Sequence, residues 1–199
     1  MIPLVMIRHG PTDWTEAGRI QGHANRPLST AGRARVAKWR LPPDLAGPEW
    51  IWLSSPLARA RETAALLAPT GTEVRVEPAL IEMDWGEWEG RRLTDLRAEG
   101  DARVAAAEAR GLDFRPPGGE SPRDAQARLA PMLRALGAAG RPVVAVAHKG
   151  IIRALAARAT GWDMTGDPPE KLRDWCAHRF VLGQSGTVRA VRLNVALEP

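Results

Sequence analysis

The chain has 199 residues, 44% of them hydrophobic and 26% charged, a formal charge of +5 at pH 7 and one cysteine, Cys176. That length suits a single domain, residues 1–199, with a substantial core, and a lone cysteine excludes an internal disulfide framework and fits a reducing compartment. The basic balance does not make a nucleic-acid binder, because the arginines are scattered among Ala, Glu and Asp with no basic tail and no interleaved aromatic stripe; such a field steers small anionic substrates instead.

Taken in chain order, Ile2 to Ile7 is an apolar run the length of a buried strand, and it stops at Arg8-His9-Gly10. It is too short for a membrane span and lacks the basic start of a signal peptide, so the expected location is the cytoplasm, with neither membrane nor nucleic acid as a partner. Ser29-Thr30 reads as the cap of a helix from Gly32 to Trp39, which runs into Pro42-Pro43. Glu49–Leu53 is a second strand ending at Ser54-Ser55-Pro56. Ala60, Ala64, Leu67 and Ala68 then recur at helical spacing until Pro69. Glu73–Val76 is a third strand, and the Ala-, Arg- and Glu-rich stretch Leu93–Ala109 is helical with a break near Gly100. Phe114–Ser121, holding Pro116-Pro117-Gly118-Gly119, is a loop.

A helix from about Pro122 to Leu136 is expected to end at Gly137. Pro142–Ala147, almost pure Val and Ala, reads as a central strand buried on both faces; it leads through His148-Lys149-Gly150 into a helix over Ile151–Ala159. Arg179–Leu182 and Thr187–Leu193 form a hairpin around Gly183-Gln184-Ser185-Gly186. Strand alternating with helix argues a mostly parallel α/β sheet.

Three strands thus end in functional groups: Arg8-His9-Gly10, Ser54-Ser55 with Arg59 one turn into a helix, and His148. In a parallel sheet these lie on one edge, where open α/β sheets keep their chemistry. Two arginines and two histidines converging there suit a tetrahedral dianion, and free amides at the helix start after His148 would add to its binding.

The residues at this edge belong to a longer pattern. Arg8-His9-Gly10-Pro11-Thr12-Asp13-Trp14 is followed by Arg19-Ile20-Gln21-Gly22, Pro27-Leu28-Ser29 and Gly32. Further on stand Ser55-Pro56-Leu57-Ala58-Arg59-Ala60, Leu80-Ile81-Glu82 with Gly86 and Trp88-Glu89-Gly90, Gly119-Glu120-Ser121, and His148 with Arg153. In this order the blocks resemble the phosphoglycerate-mutase-like branch of the histidine phosphatase superfamily. The resemblance implies a phosphoglycerate-mutase-like three-layer sandwich, a mostly parallel central sheet flanked by helices, with a small helical cap region at about 90–120. It implies a phosphomonoesterase in which His9 attacks phosphorus and forms a phosphohistidine, Arg8, Arg59 and His148 stabilise the equatorial oxygens, and Glu82 moves the proton. Gln21 and Gly22 would contact phosphate or substrate at the mouth. No metal or other cofactor is required.

Asp84, Glu87 and Glu89 compete with Glu82 for the acid role; spacing from Gly86 and Trp88 favours Glu82, with Asp84 the runner-up. His23 and His178 read as structural or surface residues, Cys176 as inert, and Trp14 and Trp85 as the tryptophans nearest the substrate. Three positions depart from the family pattern. Thr15 stands where an Asn commonly helps hold phosphate, and its hydroxyl offers one hydrogen bond. Asn25 replaces an Asp, with little expected consequence. Lys149 replaces a small residue, and its ammonium is expected to add a second anion contact. With only 28 residues between Gly90 and Gly119, and little chain after the last strand, the expected activity is that of a phosphatase acting on a small phosphorylated metabolite. Mutase-type transfer and a non-catalytic phospho-ligand-binding module are the alternatives, and a homodimer is left open. The loops around 98–120 and 162–175 carry no readable substrate code.

Overall fold

Side chains of β1 (Ile2–Arg8) divide between two apolar clusters, Leu4 and Met6 in one, Val5 and Ile7 in the other. β4 (Val143–Ala147) does the same, with Val143, Ala145 and Ala147 on one side and Val144 and Val146 on the other. Neighbouring side chains on a strand point to opposite faces, so a strand covered on both sides has no position for a polar residue. In the computed structural model, which describes residues 1–99 and 102–197, β1 and β4 pair in parallel at the centre of a mixed sheet. β2 (Ile51–Ser54) lies parallel on the far side of β4, and β3 (Val74–Val76) parallel beyond it. β5 (Cys176–Leu182) is antiparallel to β1 and β6 (Val188–Ala196) antiparallel to β5, giving the order β3-β2-β4-β1-β5-β6.

Helices cover both faces, making three layers. α1 (Asp13–Glu16) is a single turn on the loop after β1, unforeseen in the sequence and closed by a capping box between Thr12 and Thr15. α2 (Thr30–Val36) and α3 (Ala58–Leu67) bring Val36, Ala60 and Ala64 against Trp39, Leu45 and Trp52 on one face. α4 (Leu93–Ala98) and α5 (Ala102–Glu108) fall within residues 90–120; Leu96, Val104 and Ala107 form a separate small cluster with Trp88. The expected break at Gly100 falls outside the described residues. α6 (Pro122–Ala139) and α7 (Lys149–Thr160) pack Leu129, Leu133, Ile151 and Leu155 on the other face. No described helix is long and apolar enough to cross a membrane.

α6 does not end at Gly137 as its sequence suggests. The left-handed cap is Gly140, at φ 69°, and Gly137 lies inside the helix. Gly137 serves a close approach: a Cβ there would sit 2.2 Å from the Gly183 carbonyl oxygen in the β5–β6 turn. Because that neighbour is backbone, Gly137→Ala is expected to destabilise the fold by about 1–3 kcal/mol, read as a lower denaturant midpoint at unchanged slope.

Candidate active site

Because β2, β4 and β1 are parallel neighbours, their carboxyl ends share one edge. The ladder continues past the strands: His9 N–H donates to Ala147 O (3.0 Å) and Ser55 N–H to Val146 O (2.9 Å). His9, Ser55 and His148 are therefore side by side, with the two imidazole centroids 5.1 Å apart.

His9 is buried, and its Nδ1 lies 2.7 Å from the Gly10 carbonyl. A carbonyl only accepts, so Nδ1 carries the proton and Nε2 keeps its lone pair. Burial, then the charges of Arg8 and Arg59, hold the His9 pKa well below the usual histidine value. His148 is also buried and its pKa is pushed well down, by burial first and Arg59 next. Its Nδ1 accepts from Arg59 Nε (3.3 Å), and its Nε2 meets Ser55 Oγ at 2.7 Å.

Arg59 enters near the start of α3, whose first amide, Ala58 N, is capped by Asn25 Oδ1 at 2.7 Å. Arg59 Nη1 donates to Ala24 O (2.8 Å) and Nη2 to Gly22 O (2.7 Å). With Nε on His148, three of its donors are fixed and one N–H on each Nη remains. Burial lowers its pKa to about 10, leaving it a cation at neutral pH.

Glu82 lies buried just beyond a 3₁₀ turn at Pro78–Leu80. Oε1 accepts from Met83 N (2.9 Å) and Ile151 N (3.2 Å), and Oε2 from Gly150 N (3.0 Å). The amides at the start of α7, expected to face a bound phosphate, are thus occupied by this carboxylate. Burial raises the Glu82 pKa above the usual glutamate value, against the pull of these bonds and of Arg59 and Arg8. The fit requires glycine at 150, where a Cβ would lie 2.5 Å from Glu82 Oε1. The competing carboxylates are engaged or remote: Asp84 accepts from Gly86 N (2.8 Å), Glu89 accepts from Gly22 N and Ala24 N (both 2.7 Å), and Glu87 is exposed. His23 Nε2 donates to the Glu82 carbonyl (2.9 Å), while His178 Nδ1 accepts from Asn194 N within the sheet.

Arg8, His9, Thr15, Gln21, Glu82 and Lys149 line one cavity of about 200 Å³. Arg59, His148 and Gly22 do not line it; they stand behind it, and both backbone groups of Gly22 are engaged, its amide by Glu89 and its carbonyl by Arg59. The Thr15 hydroxyl is turned to Thr12 (2.7 Å to Oγ1), as is the Gln21 amide (3.1 Å). Trp85 lines the cavity as expected. Trp14 does not: it lies against Gly90 and under the Arg26 guanidinium at 5.5 Å, where it braces the loop.

Sequence reasoning missed Asp174. Its carboxylate pairs with Arg8, and the Lys149 ammonium lies 3.5 Å from the same oxygen. Burial tends to raise the Asp174 pKa, but Arg8 and Lys149 outweigh it and hold it low. The signal was topological: β5 runs antiparallel to β1, so the residues entering β5 arrive where β1 ends. Arg8 keeps a buried Nε without a hydrogen-bond partner. No cluster of three or more His, Cys, Asp or Glu among the described residues could hold a metal ion.

The family model "Histidine phosphatase superfamily (branch 1)" matches residues 4–195. A glucosyl-3-phosphoglycerate phosphatase of Mycobacterium tuberculosis is 39% identical over 166 residues, 77% of this chain and 73% of its own length. A 2,3-bisphosphoglycerate-dependent phosphoglycerate mutase of Methylobacterium radiotolerans is 38% identical over 163 residues, 76% of each chain. Among solved structures, a mycobacterial glucosyl-3-phosphoglycerate phosphatase complexed with VO3 superposes with a TM-score of 0.76 at 30% identity, covering 100% of both chains.

Proposed function

The chain belongs to branch 1 of the histidine phosphatase superfamily, and from that premise we propose that it hydrolyses a small phosphomonoester through a phosphohistidine formed on His9. The observation that carries the reading is the pairing in one cavity of a neutral His9, its Nε2 lone pair free, with a buried Glu82 whose pKa is raised. His9 Nε2 attacks phosphorus as the ester P–O bond breaks, and Glu82 gives its proton to the leaving oxygen. Water then attacks phosphorus, Glu82 takes its proton, and the P–N bond breaks to return His9. Arg8, which lines the cavity, stabilises the charge on the equatorial oxygens, and the Arg59 guanidinium, held behind it by His148 at its Nε, adds its positive charge at short range. With two guanidiniums supplying that charge, the chemistry needs no metal.

The test is phosphate release from p-nitrophenyl phosphate and a panel of phosphorylated metabolites, with and without a strong chelator. Turnover that the chelator leaves unchanged is expected; its loss would contradict metal-independent chemistry. The mutase-named relative motivates a second reading, phosphoryl transfer to another hydroxyl, and an isomerised ester without inorganic phosphate would favour it. Neither phosphate release nor an isomerised ester would favour the binding module. We place the enzyme in the cytoplasm, where its single Cys176 stays reduced.

A further inference from the structure

Arg8 lines the phosphate cavity beside His9, yet few contacts hold it. Among the described residues its side chain has one hydrogen-bond partner, the Asp174 carboxylate, which accepts from Nη1. Its guanidinium also lies over the Trp175 ring, 5.7 Å from the centroid, within range of a cation–π contact. Both partners come from the two residues that lead into β5. Because β5 runs antiparallel to β1, they meet Arg8 where β1 ends.

Those two residues are themselves fixed. Trp175 has a left-handed backbone, φ 62°, which a bulky residue adopts only where its surroundings impose it. Its ring packs on the buried Trp39, centroids 5.9 Å apart, and carries the Arg35 guanidinium at 4.6 Å. Its carbonyl accepts from Leu197 N (3.3 Å).

Asp174 does not line the phosphate cavity. It lines a space of about 10 Å³ with Arg173 and His178. Arg8 and Lys149 line both, and so stand between the carboxylate and the phosphate cavity. Of these two cations Arg8 is the more buried, its side chain 16% exposed against 47% for Lys149, whose ammonium is 3.5 Å from the same oxygen. A guanidinium is a planar fork, and it meets two phosphoryl oxygens at once only when its plane is aligned with them. A carboxylate at one corner and a ring across one face set that plane before substrate arrives, so no reorganisation is left for the reaction.

We propose that Asp174 is a positioning residue: it holds the Arg8 guanidinium from behind in the orientation that meets the equatorial oxygens of the transition state, and touches no substrate itself. The proposal rests on the phosphatase reading for the reaction in which Arg8 acts.

The test measures kcat for p-nitrophenyl phosphate, and the affinities of inorganic phosphate and orthovanadate by calorimetric titration. It compares the wild type with Asp174→Ala, Arg8→Ala and the double variant. Bound vanadate takes the five-coordinate geometry of the transition state, so it depends on the aim of Arg8 more than phosphate does. Asp174→Ala should lower kcat about 10–100-fold, the scale of a misplaced group, and weaken vanadate by a similar factor. Phosphate should bind within about threefold of wild type or more tightly, since a nearby negative charge has gone. In the Arg8→Ala background the same substitution should change kcat by no more than about twofold. Asp174→Asn keeps an acceptor for Nη1 and should recover part of the loss. Asp174→Ser, whose hydroxyl is too short to reach Nη1, takes the place of Asp174→Ala if that variant does not fold.

Wild-type kcat and vanadate affinity in Asp174→Ala would overturn the proposal. So would an equal loss in the Arg8→Ala background, which routes the effect through Lys149 or the fold, or phosphate affinity lost in step with kcat. Should the wild type not hydrolyse p-nitrophenyl phosphate at all, the phosphatase reading fails by itself. The titrations then decide on Asp174: a vanadate preference over phosphate that falls in Asp174→Ala supports the proposal, and an unchanged one overturns it.

Discussion

Replacing His9 by alanine is expected to lower phosphate release by about 10⁴-fold or more, the scale seen when a covalent nucleophile is removed. No neighbour can substitute for it. His148 has both ring nitrogens engaged, by Arg59 Nε and Ser55 Oγ, and His23 is turned to the Glu82 carbonyl. The loss should fall on kcat, because Arg8 and the remaining donors of Arg59 are untouched and inorganic phosphate should still bind. An unchanged melting temperature would separate this chemical effect from misfolding. Residual activity within tenfold of wild type would remove His9 from the reaction.

Glu82→Gln is expected to lower kcat by about 10²–10⁴-fold, the range for a positioned general acid. The effect should be larger for alkyl phosphates than for p-nitrophenyl phosphate, whose phenol leaves without much help from an acid. The pH dependence follows from the direction of two shifts. His9 must be neutral to attack, and its lowered pKa moves the acid limb of the profile to lower pH. Glu82 must be protonated to give up its proton, so activity falls as pH rises through its raised pKa, and the alkaline limb lies above the usual glutamate range. Glu82→Gln should abolish that alkaline limb while keeping the acid limb. A variant whose profile keeps both limbs would assign the proton to another group, Asp84 being the nearest alternative in sequence.

Much of this architecture was legible because burial on both sides of a sheet writes itself into composition. The Val and Ala run at 142–147 admits no polar residue, since β4 faces a cluster on each side. Parallel neighbours then bring Arg8, His9, Ser55 and His148 to one edge, so residues distant in sequence could be assigned to one place. What stayed hidden depended on approach distances and strand direction. Gly137 reads as a helix stop, yet it is a contact point for the Gly183 carbonyl. The amides of Gly150 and Ile151 read as a phosphate cradle, yet Glu82 fills it, because a buried carboxylate needs donors as much as a ligand does. Asp174 carries no motif at all; only the antiparallel entry of β5 places it over Arg8. Lys149 reads as a second anion contact, yet its ammonium lies beside the Asp174 carboxylate.

The nucleophilic role of His9 is tested most directly by rapid denaturing quench, in base, of enzyme turning over a ³²P-labelled ester. The expected result is protein-bound phosphate that survives base, is lost in acid, maps to the peptide carrying His9 and is absent from His9→Ala. Turnover without any bound label, or label on a different residue, would contradict it.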